Sequence, residues 1–198
     1  MPKQVDHESR RRMLADAVCA LAHERGLEGV TLRDVAERAG VSMGAVQRCF
    51  PTRDEMLVFA LQYVGERVTA RAKERLASSR ARTPRARLIQ LVTEVALLDA
   101  KHRAEAGVWL VFVSQAAVTP RLAEVIRESY ADLHGLLERL LGELGIEGMN
   151  PRIEARALLA LADGLTTHVL IGHLSTRAAM DVLDKHLSRF RPTAAGEC

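Results

Sequence analysis

The 198-residue chain is poor in aromatic side chains, at 4%, and its 3 cysteines are an odd number without a pairing pattern. A disulfide framework is therefore excluded, and Cys19, Cys49 and Cys198 fit a reducing compartment. Long apolar runs are missing as well. The most apolar stretch, 157–172, is interrupted by Asp163, Thr166, Thr167 and His168, well short of the ~20 residues of a membrane span. The start, MPKQVDHESRRR, has no apolar run behind its basic residues, so it does not read as a secretory leader and predicts a cytoplasmic protein. An excess of one charge is also lacking. With 28 basic and 25 acidic residues the net charge is only +3, too small to imply a polyanion partner from bulk charge alone.

What the chain does have is a 48% hydrophobic content with 27% charged residues of mixed sign, enough for an ordered core. Apolar residues recur at three-to-four residue spacing and never alternate, which predicts an all-α protein of about nine helices. Met13, Ala17, Ala20, Leu21 and Leu27 mark one side of a first helix that ends near Arg25-Gly26. TLRD from Thr31 is a capping-box-like start to a helix of about two turns ending near Ala39-Gly40. Ser42 caps the next short helix, and TRDE after Pro51 opens a long fourth one, 54–77. Further helices are expected at roughly 84–103, 105–117, 120–144, 151–173 and 176–190. The expected division is a first domain over 1–54, the long helix as its link, and a second domain over 78–198.

VTLRDVAERAGVSMGAVQRCF has the frame of a helix-turn-helix. Two short helices crossing tightly need a small residue at the crossing, here Ala36, and a residue tolerant of positive φ at the turn, here Gly40. Val35, Ala39, Val41, Val46 and Phe50 supply the inner sides. The outer side of the second helix carries small residues that admit close backbone approach, so Ser42, Met43, Gly44 and Ala45 suit a phosphate-lined groove. Gln47 and Arg48 reach base edges or phosphates, Gln pairing well with adenine and Arg with guanine. Arg33 joins them as a candidate contact at the start of the preceding helix. Duplex DNA is the expected partner.

Over roughly residues 9–60 the sequence resembles the TetR family of bacterial transcriptional regulators, through "RG" before "VT", "VAERAGVS", "GAV", Phe50 and the pair Arg53-Asp54. The resemblance implies that the third helix enters the major groove and that Thr31 and Arg53 hold phosphates. Where the family commonly has Tyr and then His or Tyr, this chain has Gln47 and Cys49, which puts the operator sequence in question rather than the binding mode. Cys49 fits a small inward-packed residue or a thiol activated by Arg48. "AEAGVWLVFVSQAAVTPRL", "ALLALADGLTTHVLIGH" and "DVLDKHLSRF" resemble the subset of that family with a BetI-like C-terminal domain. That likeness implies a repressor and a homodimer and names no ligand.

From Arg67 to Arg87 there are eight basic residues against Glu74. They read either as a solvated face beside a link or as a surface that helps hold a phosphate backbone. The helix ALLALADGLTTHVLIGHL is apolar nearly all round and must be covered on more than one side. Leu158, Leu161, Ala162, Leu165 and Val169 suit its own core. Leu159, Thr166, Leu170 and His173, with Met180, Leu183 and Leu187 of the last helix, are the expected contacts to a second copy in a four-helix interface. A monomer with a deep core is the alternative.

Trp109, Phe112, Val113 and Ala116 share a helix face that is either plain core or the wall of a small-molecule pocket. Asp99, His102, Gln115, Asp163 and Thr167 are the candidate polar groups, together with Trp109 and Phe112, for a small effector of cationic or hydrophobic character. Asp163 is the sharpest, since an unpaired charge in an apolar helix is costly. His168 and His173, five apart, are expected to point different ways on a helix, and neither a metal nor a cofactor is expected. The expected function is a ligand-responsive dimeric repressor released from its operator by a small molecule. Alternatives are an architectural DNA-binding protein without a sensor and a small helical enzyme, the latter lacking any catalytic constellation in the sequence.

Overall fold

The computed structural model describes residues 2–78, 82–96, 98 and 102–190, with side chains described from His7 onward. Among the described residues there are nine helices and no strand: α1 (Pro2–Arg25), α2 (Leu32–Ala39), α3 (Met43–Cys49), α4 (Arg53–Ser78), α5 (Pro84–Val95), α6 (Arg103–Ala116), α7 (Pro120–Gly142), α8 (Pro151–Leu170) and α9 (Thr176–Leu187). The all-α expectation holds. None of these helices is long and apolar enough to cross a membrane. The helix expected to run to 103 ends at Val95.

Helix ends follow side-chain chemistry. Thr31 caps α2 with a full capping box: its hydroxyl accepts from Asp34 N at 3.2 Å, and the Asp34 carboxylate accepts from Thr31 N at 2.9 Å. Gly40 ends α2 in the left-handed region at φ 66, so Val41 N can turn back to Ala36 O at 3.0 Å. A side chain at this position would be strained. Ser42 Oγ accepts from Ala45 N at 3.3 Å to start α3, and Thr52 Oγ1 accepts from Glu55 N at 3.2 Å to start α4.

The chain forms two compact units, Met1–Arg67 with Gly107–Glu128, and Val68–Ala106 with Ser129–Cys198. The linear division read from the sequence differs, because most of α6 and the start of α7 group with the N-terminal helices. In the first unit Leu14, Val18, Leu21, Val35, Val46, Phe50 and Met56 are buried. Met13, expected on the inner side of α1, is instead 39% exposed, and Leu14 and Val18 occupy that side. The Arg11 guanidinium lies over the Phe59 ring at 4.0 Å and over Phe50 at 5.0 Å, joining α1 to the end of α3 and to α4.

In the second unit α8 packs against α5 and α9. Leu88, Leu91, Leu137, Leu141, Leu158 and Leu183 are among its fully buried side chains. Thr166 of α8 donates its hydroxyl to the backbone oxygens of Ala162 and of Ala96, at the end of α5. Leu170 packs on Val68 and Ala106.

Candidate nucleic-acid interface and sensor site

The first unit presents α3 with its inner side closed and its outer side open. Val46 and Cys49 are buried, whereas Ser42, Met43, Gly44, Gln47 and Arg48 are exposed and Ala45 is half-buried. Gln47 and Arg48 make no hydrogen bond or ion pair among the described residues, while most nearby cations are occupied. Arg25 pairs with Asp34 at 2.8 Å, Arg38 pairs with Glu24, and Arg67 reaches Asp16 at 3.3 Å. Arg33 is exposed beside Thr31. Cys49 is 8% exposed and packed inward, which answers one of its two readings.

Arg53 is placed by two backbone oxygens: its Nε donates to Val30 O at 2.7 Å and its Nη2 to Leu27 O at 2.5 Å. These bonds fix the turn that delivers Thr31, and the remaining N–H groups stay available. Thr31 is itself engaged with Asp34, whose carboxyl is lowered to about 2 by the Thr31 hydroxyl, by Arg25 and by the Thr31 amide.

The basic run beyond α3 resolves mainly into intrachain pairs. In the second unit Arg71 Nε and Arg75 Nη1 bond the two oxygens of Glu94 at 2.6 and 2.8 Å, and Arg71 Nη2 lies 2.8 Å from Glu105. Burial pushes the Glu94 carboxyl up, but Arg71, His102 and Arg75 together hold it below its usual value. Arg87 pairs with Glu143 at 3.2 Å. Arg80 lies outside the described residues.

The candidate sensor residues fall in both units. Trp109, half-buried, and Phe112, fully buried, belong to the first. So does Gln115, which donates to Thr119 Oγ1 at 3.0 Å and lines a small open cleft with Arg53, Asp54 and Arg121 among its walls. His102, Asp163 and Thr167 belong to the second. His102 lies 3.9 Å from Glu94, and Thr167 donates to Asp163 O one turn back. Asp99 lies outside the described residues. Tyr130 of α7 donates its hydroxyl to Asp163 Oδ2 at 2.6 Å. Burial raises the Asp163 carboxyl, against the lowering pull of that bond, and no cation pairs with it among the described residues. Sequence reading missed Tyr130, since nothing in α7 indicates which side chain meets a residue 33 positions away.

Among the expected dimer contacts the three leucines require correction. Leu159, Leu183 and Leu187 are buried in their own chain's core, and Thr166 and Leu170 are turned toward Ala96 and toward Val68 and Ala106. Met180 is half-buried against the same core, and of these residues His173 alone is exposed. The open side of α8 carries Ile153, Ala157, Ala160, His168 and, just past its end, Ile171. Gly164 is half-buried on that side, and a Cβ built there meets nothing within 4 Å. Val182 of α9 is also exposed, at 45%. The histidine expectation is corrected too. The rings of His168 and His173 lie 4.9 Å apart, because the helix stops at Leu170 and Gly172, at φ 77, turns the chain so that His173 N reaches His168 O at 2.9 Å. Among the described residues no group of three or more His, Cys, Asp or Glu side chains could hold a metal.

Residues 14–58 match the family of bacterial regulatory proteins called tetR, and residues 84–192 match the C-terminal domain of BetI-type transcriptional repressors. The chain is 34% identical over 173 residues to the HTH-type transcriptional regulator PksA of Bacillus subtilis, covering 86% of this chain and 83% of that one. It is 32% identical over 192 residues to the HTH-type transcriptional regulator BetI of Burkholderia mallei, covering 96% and 97%. A crystallised transcriptional regulator from Rhodococcus shares the fold at a TM-score of 0.81 with 34% identity, over 91% of this chain and 95% of that one. A regulator from Saccharomonospora viridis crystallised with choline shares the fold at 0.78 with 24% identity, over 92% and 95%.

Proposed function

The chain belongs to the TetR family of bacterial regulatory proteins, with a BetI-type repressor C-terminal domain, and on that premise we propose that two copies act in the cytoplasm as a repressor that a small molecule releases from its operator. The family is one of transcriptional regulators and not of enzymes. The observation that carries the DNA-reading role is the outer side of α3, where Gln47 and Arg48 stand exposed without a hydrogen bond or ion pair among the described residues. Gln47 suits adenine and Arg48 guanine. Thr31, Arg33 and the N–H groups of Arg53 not bonded to Val30 and Leu27 suit contacts to phosphates. Phosphate contacts position the head, and base contacts carry the sequence.

A two-fold pair sets two such helices about one duplex turn (~34 Å), or a multiple of it, apart. The open side of α8 around Ala160 and Gly164, with Val182 of α9, supports this pairing better than the buried leucines do. The Tyr130–Asp163 pair supports an effector carrying a positive charge, because a half-buried carboxylate with no paired cation among the described residues leaves room for one from outside. A fold neighbour holds choline, a small cation. Effector and operator then oppose each other if each favours a different arrangement of the dimer.

The test is direct. Fluorescence anisotropy should show tight binding to the duplex flanking the protein's own gene and weak binding to a scrambled duplex. Small organic cations should then be screened by thermal shift, and a stabilising one should release the DNA. Equal affinity for both duplexes favours the architectural reading instead.

A further inference from the structure

Met43 is 38% exposed, one of six large apolar side chains that are exposed among the described residues. It stands on the outer side of α3, one turn before Gln47 and next to Gly44, which offers no side chain to shield it. Arg48 occupies the neighbouring strip, its Nη1 3.7 Å from where a Cβ on Gly44 would be. The outer side of α3 therefore offers three chemistries in three places: a thioether, an amide and a guanidinium. A core role for Met43 is not available, since the inner positions are held by Val46 and Cys49.

The major-groove edges of the base pairs are hydrogen-bonding atoms with one apolar exception, the C5-methyl group of thymine. The apolar side chain of a methionine carried into that groove gains most against that methyl, its sulfur being only a weak acceptor. We propose that Met43 is a specificity-determining residue that reads a thymine methyl in each half-site. This rests on the reading of α3 as the base-contacting helix. Four residues separate Met43 from Gln47, a rise of about 6 Å, comparable with one to two base-pair steps. The thymine met by Met43 thus lies within one or two pairs of the adenine met by Gln47, and the half-site is A·T-bearing at that end and G·C-bearing where Arg48 reads.

Selection of bound duplexes from a random-sequence library, using the full-length protein and Met43→Ala in parallel, tests this. The wild type should enrich a motif with a thymine that Met43→Ala no longer requires, the rest of the motif being kept. Replacing that thymine by deoxyuridine in the selected duplex removes one methyl group. It should weaken the wild type about fourfold, the worth of one methyl taken from water, and leave Met43→Ala unchanged. Met43→Leu should restore the sensitivity. If the two proteins enrich the same motif, or deoxyuridine weakens both equally at every thymine, the assignment is overturned while base reading by α3 stands. If the wild type enriches no motif at all, base reading by α3 fails and the assignment falls with it.

Discussion

Arg53 Nε donates to the Val30 carbonyl at 2.7 Å, a bond across 23 residues that ties the first turn of α4 to the segment entering α2. With the second bond to Leu27 it makes Arg53 a clamp on the helix-turn-helix before it is anything else. Arg53→Ala leaves both oxygens without that donor, and an unsatisfied buried acceptor costs about 1–3 kcal/mol. Urea unfolding should show a loss of that size. An unchanged midpoint would remove the clamp.

Arg48→Ala should behave differently, because Arg48 is exposed and makes no hydrogen bond or ion pair among the described residues. Stability should stay within about 0.5 kcal/mol of wild type. Operator affinity should fall by about 1–3 kcal/mol, with relaxed preference at one base pair. A uniform loss over all sequences would make Arg48 a phosphate contact instead.

Acid should act on the head through Asp34. Its carboxyl is held at about 2 against an ordinary 3.8 by Thr31 and Arg25. A lowered folded value means the stabilisation is complete above 3.8 and disappears as the pH falls through about 2. Asp34→Asn should flatten the unfolding free energy over that window. A variant with the full wild-type acid slope would show that the capping box contributes nothing there.

Asp163 has the opposite sign. Burial raises its carboxyl, so the folded state loses stability as the pH rises above the ordinary carboxylate range and the group is forced to ionise. Asp163→Asn keeps an acceptor for Tyr130 and removes the charge. It should raise the thermal midpoint at neutral pH and abolish release of DNA by a cationic effector. A lower midpoint would mean that the carboxylate is already compensated.

The two sides of the last helix pair can be separated by mutation. Leu183 is fully buried, so Leu183→Ala should destabilise the chain by about 2–5 kcal/mol. Gly164→Arg meets open space within the chain, so it should leave the fold intact and split the dimer, read by light scattering. A dimer that survives Gly164→Arg would move the interface off α8.

Much of the head was legible because its signals are local. Ser42 and Thr31 cap what they were expected to cap, and Gly40 takes the positive φ that the turn demands. The C-terminal unit was less legible for a physical reason. α8 is apolar nearly all round, so periodicity cannot tell which leucines face inward, and Leu159, expected at the dimer contact, is buried in its own core. His168 and His173 escaped because a glycine at the helix end, not helical spacing, sets their distance. Tyr130 and Asp163 meet only through tertiary packing.

Grouping Gly107–Glu128 with Met1–Arg67 bears on how such proteins can be re-engineered. A chimaera that exchanges only the N-terminal segment would graft a foreign reader onto a host's α6, and the transplanted piece would lack its own unit's buried Phe112 and Leu122. Swaps meant to transfer operator choice should carry both stretches together, although 39 residues of the other unit, Val68–Ala106, lie between them along the chain.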